Sequence, residues 1–218
     1  MWPMLAGLGP LLGEGVCGAF HNAGGTKMSW FYRGRKAGYE GSEDWSYPKV
    51  ADTPYQVQGN PRVAVLIDGE TASSGEAAAI AFRGRPHTRF FGEHTLGAST
   101  NNTNFLLPDG ANMILTVGVL VDRDGDEYEE GLAPDATTPS PKEIVPLDET
   151  VKTAEPWPAS EAPEGGVVAV IRCLSKNSLL LNSPLICPKT TQVRHLGCTS
   201  CHRVNQLPTN RILGKVKY

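Results

Sequence analysis

Ser73 is the residue of this sequence best placed to do chemistry. It stands in the run Thr71-Ala72-Ser73-Ser74-Gly75-Glu76. Before it lies a continuous apolar stretch, Arg62-Val63-Ala64-Val65-Leu66-Ile67; after it lies an alanine-rich one, Glu76 to Arg83. A serine between a buried strand and a helix can attack a carbonyl carbon. The N–H groups of a first helical turn have no intrahelical acceptor and sit at the positive end of the helix dipole. They can hold an oxyanion, with the Ser74 N–H as the natural donor. Small neighbours, Ala72, Ser74 and Gly75, let a substrate backbone come close. The same spacing also has a plainer meaning. Ser-x-x-Glu before an apolar helix is a capping box, with Glu76 reaching back to Ser73. Spacing alone leaves both readings open.

A second pattern lies near the C-terminus. Cys198-Thr199-Ser200-Cys201-His202 has the Cys-x-x-Cys-His spacing of haem attachment. His195 with Cys187, Cys198 and Cys201 has the donor types of a zinc site. Only 16 residues follow His202, and none is methionine or histidine. That is too little chain to wrap and ligate a haem. The pattern is expected to be incidental, with no cofactor and no metal.

The elements that must position Ser73 follow from patterning. Residues 1–16 are apolar, with Leu5, Leu8, Leu11 and Leu12 near helical spacing; this predicts a short buried helix, with Pro3 in its first turn and Gly13 or Gly15 as its stop. Residues 17–60 are punctuated by glycine and proline and carry scattered aromatics, which suits strands joined by turns or a loop over a groove. Residues 62–67 predict a strand buried on both faces. A short strand is expected at Arg89-Phe90-Phe91. A hairpin is expected from Asn104–Leu107 and Met113–Val121 around Pro108-Asp109-Gly110. Prolines accumulate from Pro134 onward, a linker composition, with a helical stretch expected around Asp148–Glu155. The expected division is a core over 1–155 and a linker with an irregular tail over 156–218. The fold class is α/β.

Composition narrows the functions. The chain has 218 residues and a net charge of −3, so it lacks the basic face of a nucleic-acid binder. No apolar stretch reaches the roughly 20 residues of a membrane span. The start, Met1-Trp2-Pro3-Met4, lacks the basic segment of a signal peptide. Five cysteines, four of them beyond residue 170, do not make a disulfide framework.

The longer pattern is more specific. The apolar run at 63–67, Thr71-Ala72-Ser73-Ser74-Gly75-Glu76-Ala77, Ala81-Phe82-Arg83-Gly84-Arg85, Phe91-Gly92-Glu93, Thr95-Leu96-Gly97-Ala98-Ser99, Leu107-Pro108-Asp109-Gly110 and Gly131-Leu132-Ala133-Pro134-Asp135 follow one another. In this order they closely resemble the tail-specific, or C-terminal processing, peptidase family, peptidase family S41. The resemblance spans residues 1–155. It implies a spiral of ββα units like that of the Clp protease and crotonase, incomplete at its N-terminus. It implies Ser73 as nucleophile, the Ser74 amide in the oxyanion hole, Gly97 and Ala98 against the substrate, and a peptide or protein as that substrate. Relatives of this kind include extracytoplasmic proteins.

One departure decides the mechanism that the resemblance implies. Many members use a Ser–Lys dyad, and the lysine position falls on Ala98, which cannot take a proton. The other branch, similar to tricorn-type and interphotoreceptor-retinoid-binding-like members, uses a histidine from an earlier segment and a later glutamate. The glutamate candidates are Glu129 and Glu130, in a run with Glu127 that also suits a solvated hairpin tip. Of the histidines, His94 lies nearest the Ala98 loop; His21 and His87 are weaker candidates. The expectation is an N-terminally truncated serine peptidase whose base and second oxyanion donor lie upstream. The alternative is an inactive or ligand-binding module of the same fold.

Overall fold

The structure, a computed structural model, describes residues 1–41, 57 and 59–137, and three further strands at 168–173, 179–182 and 214–216. The helical stretch expected at 148–155, and Cys187, His195, Cys198, Cys201 and His202, lie outside the described residues.

The chain begins with α1 (Trp2–Leu12), as its leucine spacing predicts. Pro3 is tolerated because the first helical N–H groups have no partner anyway. Gly13 stops the helix at φ 82, its N–H bonded to Gly9 O. Met4, Leu5, Ala6, Leu8, Leu11 and Leu12 are all buried, so α1 is apolar nearly all round and belongs inside. Gly9 is required by close approach. A Cβ there would lie 1.9 Å from the Tyr32 ring.

The glycine-punctuated stretch that follows forms β1 (Gly15–Asn22), β2 (Lys27–Arg33) and β3 (Lys36–Tyr39), an antiparallel meander. Two of its aromatics are core: Trp30 is fully buried and Tyr32 nearly so. β4 (Arg62–Ile67) leads through a turn into α2 (Ser74–Ile80), and β5 (Thr88–Gly92) returns. The expected hairpin is β6 (Thr100–Leu106) with β7 (Asn112–Val121). β8 (Ala136–Thr137) is short.

Two sheets result. The first has five strands in the order β3-β2-β1-β7-β6. The second has six strands and contains three from the C-terminal stretch: β9 (Val168–Cys173), β10 (Leu179–Asn182) and β11 (Gly214–Val216). β4 sits at its centre, parallel to β5 on one side and to β9 on the other. That is why its run of β-branched residues is buried on both faces. The fold is mixed α/β, as expected. The stretch after residue 156 differs from an irregular tail at these three strands. Val168-Ala169-Val170-Ile171 is a β-branched run of the kind that makes a parallel strand, and the prolines before it mask that signal.

One buried cation fastens these layers. The Arg85 side chain donates to Leu11 O at 2.6 Å, Pro61 O at 3.1 Å, Pro86 O at 2.8 Å and Thr88 Oγ1 at 3.2 Å. It caps the end of α1 and ties it to the entrances of β4 and β5. Burial, with the neighbouring Arg123 charge, pushes its pKa down to about 10.

Candidate active site

The turn between β4 and α2 is fixed by its own polar atoms. Thr71 N–H donates to Asp68 O at 2.9 Å, and Thr71 Oγ1 bonds Asp68 Oδ1 at 3.1 Å. The Asp68 N–H donates to Thr71 Oγ1 at 3.1 Å. The chain then turns sharply at Ser73, whose φ is 52° and ψ −115°. Such a conformation costs an L-residue on the order of 1–3 kcal/mol. Ser73 is exposed. A strained strand-to-helix turn is how a nucleophile is lifted clear of a sheet edge.

The capping box is also formed. The Ser73 N–H donates to Glu76 Oε2 at 2.8 Å. An ordinary N-cap has backbone angles in the β region, so the cap alone does not require the positive φ of Ser73. Ser73 therefore caps α2 and is at the same time exposed on a turn of positive φ.

Glu76 does more than cap. It is fully buried. Its Oε1 accepts from Thr95 Oγ1 at 2.7 Å and from the Gly97 N–H at 2.8 Å. A buried carboxylate without partners would be very costly; this one has three donors. Thr95 Oγ1 in turn accepts from the Leu132 N–H at 2.8 Å. One carboxylate thus binds the Ser73 turn, the 95–97 loop and, through Thr95, the start of the 132–135 segment. Leu96 N–H donates to Thr71 O at 2.9 Å, which closes the loop against the turn. Gly97 sits at φ 84°, and a Cβ there would lie 2.8 Å from Glu130 O. The sequence signals Glu76 only as a capping partner. Its wider role carries no signal in the sequence, since its partners lie 19 and 21 residues further along.

The remaining predicted residues are placed as follows. Ala98 is half-buried beside Gly97. Glu129 and Glu130 are exposed, and the Glu130 main chain packs against Gly97. Ser74 is the first residue of α2, and Met1 N donates to its Oγ at 3.1 Å, which joins the starts of α1 and α2. His94 is exposed, with Nδ1 2.8 Å from Thr95 O. His87 is exposed, with φ 55°. His21 pairs with Glu127. Phe20, next to it on β1, is paired with Met28 and Leu120 across the neighbouring strands. Strand side chains alternate between faces, so His21 points to the face opposite these three.

That matters because Phe20, Met28 and Leu120 line a cavity of about 390 Å³. Its floor and walls also include Met1, Trp2, Tyr39 and Ala77. Ser73 and Ser74 stand at its edge, with Thr100 and Asn101 of β6. The cavity has room for a bulky apolar group beside Ser73. Among the described residues no three histidine, cysteine or acidic side chains are grouped to hold a metal ion. No helix of the described residues is long and apolar enough to cross a membrane.

The model of peptidase family S41 matches residues 7–138. A nisin-resistance protein of Lactococcus lactis subsp. lactis is 30% identical over 141 residues, 64% of this chain. The chain spans 42% of that relative's length. A lipoprotein of Streptococcus agalactiae is similar at 25% identity and a TM-score of 0.49, covering 70% of this chain and 49% of that one. A photosystem II D1 C-terminal processing protease is similar at 20% identity and a TM-score of 0.48, covering 67% and 33%.

Proposed function

The chain belongs to peptidase family S41, and from that premise we propose that it is a serine-type peptidase whose nucleophile is Ser73. The observation that carries the reading is the Ser73 turn. An exposed serine is held at φ 52° at the edge of an apolar cavity, inside the region matched by the family.

The reaction has two halves. Ser73 Oγ attacks the scissile carbonyl carbon while its proton passes to a base. The oxyanion is held by the Ser74 N–H, which has no intrahelical acceptor. The C–N bond breaks, the base returns the proton to the leaving amine, and an ester on Ser73 remains. Water then attacks the ester and releases the new carboxylate. Ala98 supplies no base. The base in this reading is a histidine, oriented by Glu129 or Glu130, as in a Ser-His-acid relay. Gly97 and Ala98 border the substrate next to the turn. We assign the core of this unit to the span 1–155, to which β9 adds beside β4, and read its α/β layers as part of a ββα spiral.

The substrate is a peptide or protein with a bulky apolar residue for the cavity. Casein hydrolysis by the purified protein tests this. New α-amino groups should appear with the intact sequence and fall to background with Ser73→Ala. Equal hydrolysis by both would overturn the assignment. A second reading rests on the cavity itself. Its lining of Trp2, Phe20, Met28, Tyr39 and Leu120 also suits a bound apolar molecule, with no bond broken.

A further inference from the structure

β6 is the outer strand of its sheet among the described residues. Beyond the cavity it continues with β7 as a two-stranded arm. The arm is exposed on both faces. On one face Phe105 lies opposite Met113 and Thr103 opposite Leu115; on the other Asn104 lies opposite Ile114 and Leu106 opposite Asn112. Leu106 is 74% exposed, Ile114 67% and Phe105 42%. From Thr100 to Val121 the sole charged residue is Asp109, at the tip.

This is an unusual edge. Outer strands are normally guarded by lysine, proline or inward charges, because their free N–H and C=O groups recruit other strands. The β6 sequence has neither charge nor proline, and its single register shift, at Asn101/Asn102, lies at the cavity end. A two-stranded ribbon is also marginal by itself in water, and a third strand would complete it.

We infer that the free edge of β6 is the docking strand for the substrate polypeptide, which adds to it as an extended, uncharged, apolar-rich segment. The occupant follows from continuity. Thr100 and Asn101 open β6 and line the cavity that Ser73 borders. A strand laid along β6 therefore runs directly into that cavity. Main-chain hydrogen bonds supply the binding, and alternate side chains lie beside Phe105 on one face and Leu106 on the other. The identity of the occupant as substrate rests on the reading of Ser73 as nucleophile; the binding itself does not.

The test reads binding without catalysis. The Ser73→Ala protein is titrated against a short fluorescein-labelled peptide in which valine and threonine alternate. Two further peptides carry N-methyl groups on alternate amides, one in each phase. Only one phase of amides can face β6. Methylating that phase is expected to weaken binding by about tenfold or more, the loss of one or more hydrogen bonds, while the other phase binds as the parent. Thr103→Pro is expected to weaken the parent peptide, with circular dichroism confirming an intact fold. Equal binding of both methylated peptides, no binding of the parent, or a concentration-dependent dimer built on the β6 edge would overturn the proposal. Failure of Ser73 to react in a separate labelling experiment would leave this docking result standing.

Discussion

The turn that carries Ser73 and the arm made by β6 and β7 border one cavity and are built in opposite ways. The turn is a knot: a fully buried carboxylate, three donors on it, and a serine held in a costly backbone conformation. The arm is open: apolar side chains face water on both sides and charge is confined to the tip. The difference fits the two tasks proposed for them. Positioning a reacting atom demands over-determined backbone. Accepting a variable chain demands a free edge and few specific contacts.

The largest expected effect breaks the knot. Glu76→Ala leaves the N–H groups of Ser73 and Gly97 and the Thr95 hydroxyl without their acceptor. At about 1–3 kcal/mol per buried unsatisfied group, a loss of about 3–5 kcal/mol is expected in urea unfolding. Glu76→Gln should cost less but not nothing, since both carboxylate oxygens accept and an amide nitrogen cannot. A loss below about 1 kcal/mol for the alanine variant would mean that Glu76 does not organise the turn.

Gly97→Ala comes next. It combines a positive φ with a Cβ 2.8 Å from Glu130 O, so a loss of about 1–3 kcal/mol is expected. Reaction at Ser73 should slow with it.

Ser73 itself should show the opposite sign. Ser73→Gly relieves the strained φ and is expected to raise stability by about 1 kcal/mol, less the few tenths lost from the cap. Ser73→Ala keeps the strain and should bring no gain. Such a stability cost at Ser73 would fit its proposed role as nucleophile, a residue kept for reaction rather than for folding.

On the arm, Leu106→Lys and Ile114→Lys should change stability by less than about 0.5 kcal/mol, because neither side chain is packed. A loss as large as that of Gly97→Ala would erase the contrast between the two regions.

The last effect is a pH dependence next to the knot. Tyr128 OH donates to Asp122 Oδ2 at 2.8 Å, and burial with that carboxylate raises its pKa well above the usual 10.0. Above pH 10 the unfolded chain loses this proton while the folded chain keeps it. Fewer protons bind the unfolded state, so stability falls as pH rises there. Tyr128→Phe should flatten that decline, as read by melts from about pH 9 to 11, across the usual tyrosine pKa at which the decline begins.

Much of this frame was legible in the residues. The buried strand at 62–67, the helix beginning near Glu76, the hairpin at Asp109-Gly110 and α1 with its Gly13 stop all follow from runs, periodicity and turn chemistry. The strands β1 to β3 were blurred because glycines and aromatics there serve packing against α1, as Gly9 against Tyr32 shows. β9 was hidden by the prolines that precede it. Within the site, Ser73 was marked by its motif, but its φ could not be read from neighbours, since non-glycine residues seldom adopt it. Glu76 as a three-donor centre was not legible either. Its partners lie 19 and 21 residues away, and only the fold brings them to it.

The most direct measurement is covalent labelling of the purified protein with a fluorophosphonate probe, followed by mass spectrometry of its peptides. The expected result is an adduct on Ser73, absent from Ser73→Ala and slowed in Gly97→Ala. Labelling that persists equally in Ser73→Ala, or that falls on another serine of a folded chain, would contradict the assignment of Ser73 as the nucleophile.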